Sequence, residues 1–335
     1  MRMPFVGSVE GASPALAASV AGRPLAEALA RLHAKDVAEG FVADDLTHLE
    51  YYQVVSGDGR VPLFLQYNPA RAGRPQGSAP KGECPLDLTR VIRDGRQQYL
   101  QFSLNGHAAV ALSTPWPFMR RHFTIASGEH EPQSWTVGDA AESRARLGRL
   151  ISDLVGLAAA LPGAVLAWNG ENAGATLPHH RHFHCFELPE GHGPLPVQLA
   201  MRTAMRGTRA GMHRCGPREN GFPLDVYRVA GGKRAMVASA RTLVERWTRL
   251  QGPSASANLV AVTEGQGVAL YFVPRHRLFP RALGFSALIG SLEVCGSFVV
   301  AAESERQALA DGRMDYQRLW TILESVRPPI AHRLL

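Results

Sequence analysis

Three pairs of strand-like segments joined by tight turns constrain the fold of this chain most strongly. The first pair flanks the turn at 56–59 (SGDG), the second flanks Asn105-Gly106, and the third flanks the turn at 264–267 (EGQG). Asn-Gly is the strongest short signal for a β-hairpin, because both residues accept positive φ. Strands linked by such short turns run antiparallel. The sequence therefore predicts a largely antiparallel sheet.

Helical segments accompany these strands. Apolar residues recur at helical spacing in 24–39, 139–162, 234–251 and about 304–325. In the second segment Asp139 is the expected N-cap, because a side-chain oxygen there accepts hydrogen bonds from the first backbone N–H groups. We expect a strand at 194–202, irregular structure at 207–222 and a Gly-, Pro- and Ser-rich loop at 72–85.

Together these elements predict an α+β fold with a largely antiparallel sheet and flanking helices. A length of 335 residues suits one catalytic domain spanning 1–335. The order of strands, long helix, strands and helix recurs loosely. This order suggests two similar halves, 1–138 and 139–335.

The composition is that of an ordinary globular protein, with 45% hydrophobic and 19% charged residues. No apolar run is long enough to span a bilayer, and the first residues lack the pattern of a signal peptide. The four cysteines form no C-x-x-C pair, so we expect reduced thiols. We therefore expect a cytoplasmic protein without a membrane partner.

The formal net charge of +7 favours anionic partners. The arginines are scattered singly or in pairs, without a run of five or six. This pattern fits phosphate contacts in a pocket better than nucleic-acid binding, which we do not expect.

A dense histidine row lies in 175–189 (ATLPHHRHFHCFELP), where positions 179, 180, 182 and 184 are all histidine. In a strand, alternate residues share a face, so His180, His182 and His184 are expected to point together. Imidazole is a nucleophile, an acid or base, and a metal ligand. Three interpretations remain open: attack by one imidazole on a nucleotide α-phosphorus, a three-histidine metal site, and a structural row.

The residues before the row favour the first interpretation. A strand ends at Asn169-Gly170 and is followed by a turn of small residues at Gly174, Ala175 and Thr176. Small residues let the backbone approach a ligand closely, and exposed N–H groups in such a turn bind phosphate.

The segment 169–184 (NGENAGATLPHHRHFH) resembles the active-site signature of the galactose-1-phosphate uridylyltransferase-like (GalT-like) branch of the histidine-triad (HIT) superfamily. This branch includes dinucleoside tetraphosphate phosphorylases and sugar-nucleotide phosphorylases. The positions that match the signature without a gap are Asn169, Gly174, Ala175, Thr176, Pro178, His180, His182 and His184. Weaker similarity at 65–71, 115–133, 256–277 and 292–300 extends the resemblance over most of the chain.

The resemblance implies a GalT-like fold and a nucleotidyltransferase or phosphorylase. His182 would attack the α-phosphorus and form a nucleotidyl-histidine. His180 would orient it, while His184 would contact phosphate oxygens and protonate the leaving group. The implied donor is a nucleoside diphosphate sugar or dinucleoside polyphosphate, and the acceptor is phosphate or a sugar phosphate. Nucleotide and phosphate contacts are expected from Asn68, Arg71, Asn169, Gly174, Ala175, Thr176 and Arg275.

Two departures from the family pattern matter. Histidine at 184 replaces the glutamine usual in the transferases and is typical of the superfamily's hydrolases, so hydrolysis of the same bonds is the first alternative. A non-catalytic nucleotide- or metal-binding protein is the second. The zinc site of the uridylyltransferases uses a C-x-x-C, whereas this chain offers lone Cys84, so a structural zinc is not expected. His192, His213 and Cys215 are weak candidate ligands. The resemblance also allows a homodimer.

Overall fold

The computed structural model describes residues 23–42, 46, 48–73, 84–88, 90–91, 98–136, 138–205, 210–218, 221–276 and 285–334. Within these residues the chain forms a nine-stranded sheet, a three-stranded sheet and helices on both faces of the larger sheet. Most of the loop expected at 72–85 lies outside the described residues.

The strands are β1 (Glu50–Val54), β2 (Leu63–Tyr67), β3 (Leu100–Leu104), β4 (His107–Ser113), β5 (Arg120–Ser127), β6 (Ala164–Asn169), β7 (His182–Glu187), β8 (Gly211–Cys215), β9 (Val226–Ala230), β10 (Ser256–Glu264), β11 (Gly267–Arg275) and β12 (Ser297–Val300). The helices are α1 (Arg23–Ala38), α2 (Ala140–Ala160), α3 (Pro196–Ala204), α4 (Lys233–Gln251), α5 (Glu303–Ala310) and α6 (Tyr316–Glu324).

The larger sheet has the order β3-β4-β5-β7-β6-β10-β11-β9-β8, and each of its neighbouring pairs is antiparallel. The β3–β4 hairpin turns at Asn105 and Gly106, whose φ angles are 49° and 90°. These positive angles match the turn expected from the sequence. The predicted α+β fold with a largely antiparallel sheet is confirmed.

The smaller sheet joins distant parts of the chain. Strand β2 pairs antiparallel with β1 and parallel with β12, so that Phe64 lies opposite Ser297. This sheet lies against one face of the larger sheet, and the apolar residues between them form one core with α3 and α6. The opposite face packs against α1, α2 and α4 in a second core.

Helix α2 begins where the sequence predicts. The carboxylate Oδ1 of Asp139 accepts hydrogen bonds from the backbone N–H of Ala141 at 2.7 Å and of Glu142 at 2.9 Å. These bonds satisfy donors that the first turn of a helix leaves without intrahelical partners.

Three predicted elements were wrong. The strand expected at 194–202 is helix α3, because Pro196 opens a helix and the Gln198 side chain accepts from the backbone N–H of Leu195 at 2.9 Å. The irregular stretch at 207–222 contains the edge strand β8. The last helix is two helices, α5 and α6, separated by a turn at Gly312 with φ 72°.

The larger sheet crosses the boundary proposed at residue 138, because β5 pairs with β7. The division into two similar halves stays a prediction. None of the helices in the described part of the chain combines the length and the apolar character needed to span a bilayer.

Candidate active site

His182 and His184 lie on β7, between β5 and β6 in the middle of the larger sheet. The alternation of the strand separates them from their neighbours. Phe183 and Cys185 are buried in the core formed with α1, α2 and α4, whereas Phe186 belongs to the core on the opposite face. The two histidines share the face of Phe186, toward the smaller sheet.

The imidazole of His182 is fixed in one orientation. Its Nδ1 lies 2.8 Å from the backbone carbonyl oxygen of His180. Because a carbonyl oxygen only accepts, Nδ1 carries the proton and Nε2 keeps a lone pair. Burial lowers the pKa of His182 from its ordinary value of 6.5 to about 4, so the ring is neutral at neutral pH. Nε2 of His182 therefore has the protonation state of a nucleophile.

Gln133 holds the backbone at His182. The pairing of β6 with β7 ends at His184, which leaves the backbone groups of His182 without a partner strand on that side. The Gln133 amide replaces the strand: its Oε1 accepts from the N–H of His182 at 3.0 Å, and its Nε2 donates to the His182 carbonyl at 3.0 Å. The same Oε1 accepts from Nε1 of Trp168 at 3.0 Å. Gln133 is fully buried, and the sequence interpretation had given it no role.

His184 makes a hydrogen bond with a histidine of the neighbouring strand. Nδ1 of His184 lies 3.1 Å from Nε2 of His122 on β5. His122 is buried, and its ring lies 4.0 Å from the ring of Phe118, between centroids. The rings of His182 and His184 are nearly perpendicular with centroids 5.3 Å apart. His122 thus joins the face that carries His182 and His184, a position that the sequence did not assign to it.

His180 lies apart from this pair, although the sequence placed all three histidines together. Strand β7 starts at His182, so residue 180 precedes the regular alternation. Its Nε2 donates to the carbonyl of Ser127 at 2.8 Å, and its Nδ1 lies 3.3 Å from Sγ of Cys84. The ring of His130 is 4.9 Å away, between centroids.

Cys84, His130 and His180 form a group that could hold a metal ion. Their ligand atoms lie within 4.8 Å of one another, and this is the one such trio of His, Cys, Asp or Glu side chains in the described ranges. One sulfur and two imidazoles are a donor set that suits Zn²⁺. The hydrogen bond from Nε2 of His180 to a carbonyl leaves Nδ1 directed toward Sγ of Cys84, and metal-bound histidines usually have such a carbonyl partner on the other nitrogen. The residues therefore fit a zinc ion.

The candidate ligands predicted from the sequence, His192, His213 and Cys215, are occupied elsewhere. The ring of His192 packs against Phe64 with centroids 4.9 Å apart, and Nε2 of His213 donates to the carbonyl of Ala210 at 3.0 Å. Cys215 is buried in the apolar core beside the smaller sheet.

Asn169 is the centre of a buried polar network. Its Oδ1 accepts from Nδ2 of Asn258 at 2.8 Å and from the backbone N–H of Ser291 at 2.8 Å. Nδ2 of Asn258 also donates to the carbonyl of Ala173 at 2.7 Å. The network thus joins the end of β6, strand β10 and the start of the small-residue turn.

The small-residue turn packs closely against residues 289–290. Gly174 has a φ of 97°, and a Cβ atom built on it would lie 2.6 Å from Cα of Gly290. Only glycine fits this position, because both the backbone angle and the space exclude a side chain. Ala175 and Thr176 follow and are partly exposed. Gln133 also ties this turn to His182, since its backbone N–H donates to the carbonyl of Pro178 at 2.8 Å.

Asn68, which is fully buried, and Arg71 contact the loop between β4 and β5. The Asn68 side chain donates to the carbonyl of Pro117 at 3.1 Å, and Arg71 donates to the carbonyl of Trp116. The guanidinium of Arg71 lies 5.3 Å from the centre of the Phe118 ring, which covers His122. The structure therefore brings these two predicted contacts to the loop that borders His122 and His184.

Arg275 is fully buried rather than open to a ligand. Its Nη1 donates to Oδ1 of Asn258 at 2.6 Å and to the carbonyl of Ile289 at 2.9 Å. Burial lowers its pKa to about 9, so it remains a cation at neutral pH. This placement favours support of Asn258 over the direct phosphate contact expected from the sequence.

The fold and the site define an α+β protein with a neutral, oriented histidine on a central strand. Residues 44–187, less than half of the chain, match the family model of a domain of unknown function, DUF4922. Comparison with curated proteins finds no match.

Among solved structures, yeast Ap4A phosphorylase in complex with Ap4A is similar to this chain, with 13% sequence identity and a TM-score of 0.63. The match covers 91% of this chain and 98% of the yeast chain. The yeast enzyme in complex with AMP gives 12% identity and a TM-score of 0.58, over 91% of this chain and 97% of that chain. This chain therefore has the fold of yeast Ap4A phosphorylase, as the resemblance of its histidine segment predicts.

Proposed function

We propose that this chain is a nucleotidyltransferase of the phosphorylase type. It cleaves a dinucleoside polyphosphate or a nucleoside diphosphate sugar at the α-phosphorus through a covalent nucleotidyl-His182. Inorganic phosphate or a sugar phosphate accepts the nucleotidyl group. His184 contacts the phosphate oxygens and the leaving group, and His180 holds His182 through its carbonyl.

The hydrogen bond from Nδ1 of His182 to the His180 carbonyl carries this proposal. An imidazole attacks through one nitrogen only if the other keeps its proton, and this bond keeps the proton on Nδ1. A covalent intermediate divides one difficult displacement into two easier ones at the same site. The buried, neutral state of His182 supports the same role.

The substrate class is supported by the shared fold with an enzyme crystallised with Ap4A, and by the net charge of +7. We assign phosphate and nucleotide contacts to Asn68, Arg71 and Asn169, and to the turn at Gly174, Ala175 and Thr176. Positioned donors of this kind stabilise charge on the transferring phosphoryl group. Arg275 takes part through Asn258.

The distribution of products tests the proposal. We would incubate the protein with Ap4A, with and without inorganic phosphate, and separate the products by ion-exchange chromatography. Phosphorolysis predicts continuous formation of ADP and ATP only when phosphate is present, with no more than one ATP per chain released without phosphate, and His182→Ala should abolish both products. Retention of more than a few per cent of the turnover by this variant would contradict the role of His182.

Hydrolysis is the second candidate function, because histidine stands at position 184 and pairs with His122. A histidine there can accept a proton from an attacking water, which glutamine cannot do. This alternative predicts AMP and ATP as products whether or not phosphate is present.

We also propose that Cys84, His130 and His180 supply three ligands of one zinc ion, although the missing C-x-x-C predicts no structural zinc. The ion would tie the segment at Cys84 to the start of β7, and so steady the carbonyl that orients His182. Metal analysis by mass spectrometry should find one zinc per chain, and Cys84→Ser should remove it. Full zinc content in that variant would contradict the assignment.

The four cysteines are free thiols, which supports a cytoplasmic location. A homodimer is proposed from the family resemblance. Light scattering of the purified protein would measure its mass in solution, and a mass of 36.3 kDa would contradict the dimer.

A further inference from the structure

His122, which lies outside the histidine row at 175–189, makes a direct hydrogen bond to His184. Nε2 of His122 and Nδ1 of His184 are 3.1 Å apart, across the pairing of β5 with β7. A hydrogen bond between two imidazole nitrogens contains one proton, so one ring donates and the other accepts. The direction of this bond decides which nitrogen of His184 carries a proton.

The surroundings of the two rings favour donation from His122. His122 is only 2% exposed and lies against Phe118, with Phe186 at 5.9 Å between ring centroids. His184 is partly exposed and stands beside His182, where the proposed substrate brings phosphate oxygens. An N–H directed at an anionic oxygen is stabilising, whereas a bare nitrogen lone pair there is repulsive.

We infer that His122 is a positioning residue, which donates its Nε2–H to Nδ1 of His184 and thereby places the His184 proton on Nε2, as a donor to the leaving phosphate. This inference rests on the proposed function. The lone pair of Nε2 of His182 forms the N–P bond. The P–O bond to the departing phosphate breaks with its electron pair on that oxygen, which accepts the hydrogen bond from Nε2–H of His184.

The inference explains how histidine can take the place of a glutamine amide at position 184. A glutamine amide donates without regard to tautomer, whereas a neutral histidine donates from only one of its two nitrogens. His122 supplies the fixed tautomer that the histidine lacks on its own. His122 and His184 therefore act together as the donor to the leaving phosphate.

Dependence on the leaving group tests this role. We would measure single-turnover formation of nucleotidyl-enzyme from two esters of AMP, the 4-nitrophenyl and the phenyl ester, because phenolate is the poorer leaving group. His122→Leu should slow the phenyl ester at least about tenfold more than the 4-nitrophenyl ester, since a lost donor matters most where charge on the leaving oxygen is greatest. His122→Gln, whose amide can still donate to His184, should stay within about threefold of the wild-type rate on both esters.

His107→Leu is the matched control, because His107 lies exposed on β4 of the same sheet and should leave both rates unchanged. Equal slowing of the two esters by His122→Leu would overturn the inference and leave the proposed function intact. Absence of labelling of the wild-type protein by either ester would overturn the proposed function, and the inference with it.

A spectroscopic measurement covers the case in which His122→Leu does not fold. Nitrogen-15 NMR of the wild-type protein distinguishes the two neutral tautomers of His184. A proton on Nε2 is expected for the wild type and for His122→Gln. A proton on Nδ1 of His184 in the wild-type protein would overturn the inference.

Discussion

Replacement of Gln133 by leucine should both destabilise the protein and disturb its nucleophile. The variant removes a side chain that is fully buried and makes hydrogen bonds to the N–H and C=O of His182 and to Nε1 of Trp168. Leucine fills most of the space but satisfies none of these groups. A buried polar group left without a partner costs about 1–3 kcal/mol, so three of them predict a loss of about 3–9 kcal/mol of unfolding free energy.

Urea unfolding followed by tryptophan fluorescence measures this loss, since the denaturant midpoint falls with stability at constant slope. Gln307→Leu is the matched control. Gln307 is exposed on α5, its Nε2 donates to Oδ1 of Asp311 at 2.9 Å, and its loss should cost no more than about 0.5 kcal/mol. A loss below about 1 kcal/mol for Gln133→Leu would refute the conclusion that this amide replaces a partner strand.

Three other predictions follow from single contacts. Asp153→Leu should lower the unfolding free energy by about 3–5 kcal/mol in urea unfolding. Asp153 accepts a hydrogen bond from buried Arg181 at 2.9 Å, and its loss leaves the charge of that arginine poorly compensated, so a decrease below about 1 kcal/mol would contradict this reasoning. Gly174→Ala should lower the unfolding free energy by at least about 1 kcal/mol more than Gly163→Ala in the same assay. Both glycines have a positive φ, but only Gly174 packs against a close neighbour, so equal decreases for the two variants would contradict the close packing. In the folded protein treated with a chelator to remove metal, Ellman's reagent should react with Cys84 before the other three thiols, which are buried, and added zinc should protect Cys84. Equal reaction of all four thiols would contradict their burial.

Much of the fold could be predicted from local patterns. The turn at Asn105-Gly106 and the N-cap at Asp139 involve neighbours in sequence, and both appear where expected. The segment at 194–202 was predicted wrongly as a strand, because a short apolar stretch with alternate prolines fits a strand or a helix about equally well. The hydrogen bond from Gln198 to Leu195 decides between them in the folded chain.

The candidate site was predictable only in part. The position of His182 on a strand follows from the alternation of the segment around it. The residues that hold His182 and His184 in place could not be predicted in this way. Gln133 lies 49 positions from His182 in sequence, and His122 lies 62 positions from its partner His184. These contacts depend on the order of strands in the sheet, which local periodicity does not specify.

The position of the His180 side chain also could not be predicted from the local sequence pattern. The spacing of the histidines predicts a shared face, but the regular strand begins only at His182. The turn before it directs the His180 ring toward Cys84 and His130, which lie far away in sequence. The three-histidine row in sequence is thus divided between two clusters of side chains in the structure.

The measurement that tests the central claim most directly is the intact mass of the protein after brief exposure to Ap4A and sugar nucleotides without phosphate. The account predicts a mass gain equal to one nucleoside monophosphate, on His182, which disappears in His182→Ala and is released by added phosphate. Consumption of substrate by the wild-type protein without any adduct on rapid quenching, or the same adduct in His182→Ala, would contradict it.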